Sequence, residues 1–229
     1  MSDASRRILF VLTGNDRLGD TGEPTGVFLA EAAHPYDVVT KAGYEVDFAS
    51  PTGGPVHFDP RSTGDRDPVS DAFYSDEAIQ GRLQDTLDAR TLRAEDYAAV
   101  FFVGGHGTMW DFPDSEALQR LTAGIYEGGG AVGAVCHGPS ALVNVRLSDG
   151  SYLVAGREVA GFTTEEEQAV KLDGVVPFLL DQRLTERGAR HTKAEKPFTA
   201  HVVRDGRLVT GQNPPSSKGT AEALIAALK

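Results

Sequence analysis

A chain of 229 residues with 40% apolar side chains is long enough for one large α/β domain and has the composition of a soluble globular protein. A formal net charge of −11 argues against a nucleic-acid backbone or an anionic membrane as partner. The single cysteine rules out an intramolecular disulfide and a cysteine-rich zinc site, and fits a reducing cytoplasm.

The opening stretch, "MSDASRRILFVLTGND", holds a short apolar run that ends at a glycine and polar residues, with no small-residue cleavage site. It reads as a buried strand at 8–12 rather than a signal peptide, and no later apolar run reaches membrane-spanning length. After a polar loop at 13–25, "TGVFLAEAAHPYDVVTKAG" has helical spacing, with Phe28, Ala32, Tyr36 and Val39 near one face. Pro35 is expected to break or kink that helix. Glu31 lies in the middle of the apolar face, where a charge is expensive to bury. "YEVDFAS" alternates and reads as a second strand. Residues 51–75, rich in Gly, Pro, Asp and Ser, read as a loop-rich surface insert.

A helix is expected over 77–92, a buried strand over 98–103, and a helix over 115–126. The strand at 132–135 then runs into Cys136, and residues 140–143 can begin a helix. Residues 148–154 are turn-rich, 158–160 can form a strand, and 175–187 read as an amphipathic helix closed by Gly188. "HVVRDGRLVTG" carries the Asp-Gly signal of a hairpin, and a helix is expected from Ser217 onward. Strands alternating with helices indicate a mostly parallel sheet covered on both faces, with ligand sites at the carboxyl ends of its strands. No repeat or linker divides the chain, so 1–229 read as one domain.

The chemistry centres on "GAVGAVCHGPSALV". A strand that stops abruptly, with a nucleophile at the break and Gly133 and Gly138 flanking it, has the layout of a nucleophile elbow. The N-terminus of the next helix would favour the Cys136 thiolate, and His137 is the adjacent base. An orienting acid must come from elsewhere, and Glu165, Glu166 and Glu167 in "TTEEEQ" are the candidates. The glycine turn at Gly105 and His106 supplies the substrate and oxyanion side, with the backbone N–H groups of Gly105 and His137 as donors. The glycines from Gly128 to Gly133 imitate a dinucleotide fingerprint but precede a strand instead of leaving one. The six histidines are scattered without a strong metal-ligand spacing, so no metal is expected, with a weak site involving His106 as the alternative.

"AVCHGP", "TGVFLAEAAHPYD", "GGHGTMWDFP", "AGFTTEEE" and "DGRLVTGQNPPSS" together resemble the ThiJ/PfpI superfamily, and within it the glutathione-independent glyoxalase III branch that includes heat-shock chaperone-like members. The resemblance implies a flavodoxin-like three-layer sandwich and a homodimer. It implies that Cys136 and His137 are catalytic and that Glu31 hydrogen-bonds the cysteine sulfur. The third triad member then falls on Glu167, with Glu166 the next choice. Before the hairpin the chain reads "EKPFTAHVV", where relatives carry a Trp- and Asp-containing segment.

The expected function is conversion of methylglyoxal and related 2-oxoaldehydes to 2-hydroxy acids. Lactate is methylglyoxal plus water, so no cofactor is expected. A cysteine peptidase or amidase, a chaperone, and a thiol redox sensor with Cys136 oxidised to a sulfinate are the competing readings.

Overall fold

The computed structural model describes residues 6–229. Strands β1 (Arg7–Val11), β2 (Glu45–Ser50), β3 (Leu87–Asp88), β4 (Ala99–Phe102) and β5 (Ala131–Val135) run parallel. A separate pair, β6 (Glu158–Val159) and β7 (Arg190–His191), is also parallel. The hairpin strands β8 (Val202–Asp205) and β9 (Leu208–Gly211) complete a seven-stranded sheet in the order β3-β2-β1-β4-β5-β9-β8. Only β8, at the edge, is antiparallel.

The central strands are apolar on both faces because helices pack around the sheet. Residues 8–12 and β4 are wholly buried, as is β5. Helices α1 (Leu29–Lys41), α2 (Pro68–Ser75), α3 (Glu77–Gln84), α4 (Thr108–Asp111), α5 (Glu116–Glu127), α6 (Thr164–Ala169), α7 (Leu180–Glu186) and α8 (Ser217–Ala227) fill the connections. α1 and α8 pack together, α1 on β2 and α8 on β5 and β9, while α5 packs on β4 and β5. Among the described residues no helix is long and apolar enough to cross a membrane.

Several elements differ from the sequence reading, each for a local reason. Pro35 does not break α1; it is buried with the rest of the apolar face, and packing carries the helix past the missing N–H. The 51–75 insert is not structureless. It holds a 3-10 turn at Pro60–Ser62 and the two-turn α2, whose first N–H groups are capped by Asp67. The 77–92 helix stops at Gln84, because Thr86 pairs with Gly54 and the chain then joins β2 as an edge strand. The helix expected over 175–187 begins only at Leu180, since Pro177 disfavours helical backbone just before it.

β5 is the strand that carries the site, and Gly133 sets how closely it packs. A Cβ there would lie 2.8 Å from Phe101 Cδ2 and 3.3 Å from both Leu224 methyl groups. Gly133→Ala is therefore expected to lower stability by about 1–3 kcal/mol through overpacking. Urea denaturation checks this, and an unchanged midpoint would show that the strand can shift to make room.

Candidate active site

Cys136 ends β5 with a left-handed backbone, φ +60°, a strained conformation for a residue with a Cβ. The surroundings hold it there. Its N–H donates to the Gly211 carbonyl at 2.9 Å and its carbonyl accepts from Phe162 N–H at 2.9 Å. Gly138 must lack a Cβ, which would collide with the Phe102 carbonyl. The chain then enters a 3-10 turn, Gly138–Leu142, and not the α-helix read from the sequence. Such a short, tight turn aligns few peptide dipoles, so the expected helix field is weak. Burial, and then neighbouring Glu31, push the Cys136 thiol well above its ordinary value. Resting Cys136 is a thiol.

An imidazole stands beside it. His137 Nδ1 lies 3.3 Å from Cys136 Sγ, and His137 Nε2 lies 2.8 Å from Glu167 Oε2. The Phe162 ring packs against the imidazole, with centroids 4.3 Å apart. Burial raises the pKa of Glu167, but the neighbouring His137 imidazole and the bonds from His106 and His137 outweigh it and hold the carboxylate well below the usual range. An ionised Glu167 only accepts, so His137 carries its proton on Nε2 and turns the lone pair of Nδ1 toward the thiol.

Three consecutive glutamates point three ways, as a helix advancing about 100° per residue requires. Glu165 faces solvent and pairs with Lys193 at 2.7 Å. Glu166 is buried in a capping box with Thr163, and its Oε1 accepts from Phe198 N, Gln212 Nε2 and Asn213 Nδ2 at 2.8–2.9 Å. This anchors the start of α6 and turns Glu167 toward His137.

Glu31 reaches the sulfur from the first turn of α1. Burial raises its pKa well above the usual range, against smaller pulls from the Cys136 thiol and the Gly104 N–H. Neither carboxyl oxygen completes a hydrogen bond of ordinary geometry among the described residues. A protonated Glu31 beside Cys136 is the consequence. Gly104 makes the approach possible, because a Cβ there would strike Glu31 Oε2 and lie 2.9 Å from Cys136 Cβ.

His106 differs from its expected place. Its side chain is not a free substrate contact but a second imidazole on Glu167, with Nε2 2.8 Å from Oε1 and its ring 4.0 Å from that of His137. Burial, then His137, then Arg61 hold it at about 4, against Glu167. Gly105 adopts φ +116°, and among the described residues its N–H donates to no protein acceptor, as an oxyanion donor must not. His106, His137 and Glu167 bring three potential metal-binding atoms within 4.8 Å of one another. Two imidazole protons already fill the Glu167 oxygens, and Arg61 supplies a positive charge behind His106, so the trio is arranged as a hydrogen-bonded relay.

Sequence reasoning missed Arg61, Asp59 and Phe162. Arg61 comes from the insert, which the sequence marked only as a polar loop. The cluster is nearly closed: Glu31 and His137 are 0% exposed and Cys136 3%. An open cavity of about 910 Å³ lies apart from it, beside Gly14, Asn15, Asp111 and Arg120.

Residues 25–227 match the DJ-1/PfpI family. The chain is 34% identical over 235 residues to Glyoxalase 3 of Candida albicans, covering 97% of this chain and 98% of that one. It is 34% identical over 236 residues to the glutathione-independent glyoxalase HSP31 of Saccharomyces cerevisiae, covering 99% of each. The solved glyoxalase III of Candida albicans superposes with a TM-score of 0.91 at 33% identity, covering 99% of this chain and 98% of that one. The rapid encystment protein of 24 kDa from Francisella tularensis gives 0.94 at 35% identity, covering 98% and 99%. With the match running along nearly its whole length, this chain belongs to the DJ-1/PfpI family.

Proposed function

We propose that this chain is a glutathione-independent glyoxalase that converts methylglyoxal and related 2-oxoaldehydes to 2-hydroxy acids, with Cys136, His137 and Glu167 as a catalytic triad and Glu31 as a further acid–base group. One observation carries the reading: a lone buried thiol stands between an imidazole that can only accept its proton and a carboxyl group kept protonated. The names of the relatives support it.

The steps balance without a cofactor. His137 takes the thiol proton as Cys136 sulfur adds to the aldehyde carbon, and returns it to the new oxygen, giving a hemithioacetal. Gly105 N–H and His137 N–H steady the oxyanion in between. His137 then removes the proton from the former aldehyde carbon while neutral Glu31 protonates the ketone oxygen, giving an enediol. His137 delivers its proton to the second carbon, and Glu31 takes one back from the first hydroxyl. The product is a thioester, which water hydrolyses to the 2-hydroxy acid and free thiol. One carbon is oxidised as its neighbour is reduced.

The testing experiment is incubation of the purified protein with methylglyoxal in the absence of glutathione, with a lactate assay at the end. Lactate is expected from the wild type and none from Cys136→Ala, which should keep its thermal transition. Substantial turnover by Cys136→Ala would end the covalent reading. The homodimer implied by the family belongs to the same proposal, and a monomer in sedimentation would remove it without touching the chemistry.

Glu167→Gln should lower kcat/KM by roughly 10⁴-fold, the scale of an orienting acid in a triad. Glu165→Gln should change it little, because Glu165 faces solvent. Equal effects from the two would contradict the assignment. Glu31→Gln retains a donor near the sulfur but cannot exchange a proton in the same way. Alkylation of Cys136 should survive in that variant while lactate formation is severely reduced, and parallel loss of both would reduce Glu31 to a tuner of the thiol.

A further inference from the structure

Arg61 belongs to the insert that carries no recognisable motif, yet it touches the relay. We propose that Arg61 is a positioning residue that holds His106 neutral with its proton on Nε2, so that Glu167 stays shared between two neutral imidazoles and the Cys136 proton passes to His137. The proposal rests on the reading of Cys136 as nucleophile and His137 as its base.

The insert is docked, not loose. Val27 N–H donates to the His57 carbonyl and Asp59 N–H to the Val27 carbonyl, both at 2.8 Å. Leu29 N–H donates to Ser62 Oγ at 3.0 Å, which ties the 3-10 turn to the start of α1, the helix that bears Glu31. Asp59 is 1% exposed and grips Arg61 three times: from the backbone N–H at 2.9 Å, Nε at 2.9 Å and Nη2 at 2.6 Å. Thr25 Oγ1 donates to the same carboxylate at 2.8 Å. A guanidinium clamped by its planar fork has little freedom left.

The clamped group then meets His106. Arg61 Nη2 lies 3.3 Å from His106 Nδ1. Guanidinium can only donate, so Nδ1 must be the bare nitrogen and the proton must sit on Nε2, facing Glu167. The charged and titratable groups facing His106 are Glu167, His137 and Arg61, with Asp59 behind the guanidinium. Burial and His137 oppose a second proton on His106 more than Arg61 does, so removing Arg61 weakens that opposition at Nδ1 without ending it, while Glu167 favours the proton. A charged His106 would then take up the Glu167 charge and repel a proton on His137, whose ring centroid is 4.0 Å away. His137 would lose strength as a base wherever His106 is charged.

The test compares pH profiles of kcat/KM for methylglyoxal, and of Cys136 alkylation by iodoacetamide, in wild type, Arg61→Gln, His106→Gln and the double variant. Cys136 is the only cysteine, so the alkylation rate reports on it alone. In Arg61→Gln the acid limb of both profiles should move to higher pH by about one unit, roughly a tenfold loss on that limb, with recovery at higher pH. His106→Gln keeps the Asp59–Arg61 pair and cannot ionise, so its limb should stay where the wild type has it. The double variant should return to that position. A loss in Arg61→Gln that is the same at every pH, a limb that stays displaced in the double variant, or a displaced limb in His106→Gln would each overturn the proposal. If Arg61→Gln does not fold because Asp59 is left unpaired, Asp59→Asn/Arg61→Gln removes both charges and carries the same expectation. The alkylation shift without any lactate from the wild type would support Arg61 as proposed and count against the glyoxalase reading alone.

Discussion

Two carboxyl groups near one sulfur are kept in opposite protonation states, and the site depends on that difference. Glu167 meets two imidazole protons and stays charged; Glu31 meets burial and stays neutral. Neither state is a property of glutamate. Burial raises the pKa of both groups, and what separates them is whether charged or N–H partners are present to outweigh it. Such divergence between neighbouring acids is how one fold runs acid and base chemistry at a single pH.

The fold delivers these groups from separate places. β5 presents the sulfur on a strained backbone, α1 brings Glu31 from one side, and α6 brings Glu167 from 30 residues beyond His137. The approach tolerances are set by glycine. Gly104 has no room for a Cβ between Glu31 and Cys136, so a side chain there would part the pair. Stability also serves position, as with buried Glu166, which accepts from Phe198, Gln212 and Asn213 and so aims its neighbour Glu167.

Legibility in the sequence tracked the range of the interactions. Cys136 and His137 are adjacent at a strand end, so their contact was visible in the motif. Glu31 was visible as an acid on an apolar helix face, an anomaly that needs a reason. The "EEE" run showed that an acid was available, but only the capping box at Thr163 sets the helix phase that selects Glu167. Arg61 gave no signal, since its contact with His106 spans 45 residues and an arginine in a polar loop is usually solvated. The same limit applied to the sheet, where β3 is two residues long and forms through its pairing with β2. The helix expected after Cys136 was the costliest misreading, because it suggested a thiolate prepared by a dipole where the structure has a 3-10 turn and a buried thiol.

The most direct measurement is the infrared absorption of protonated carboxyl groups, recorded on the alkaline side of Asp111, whose burial raises it to about 6. The account expects a protonated-carboxyl band in the wild type that persists in Glu167→Gln and disappears in Glu31→Gln. Absence of the band from the wild type, or its loss in Glu167→Gln instead, would contradict the opposite protonation of the two acids on which the mechanism stands.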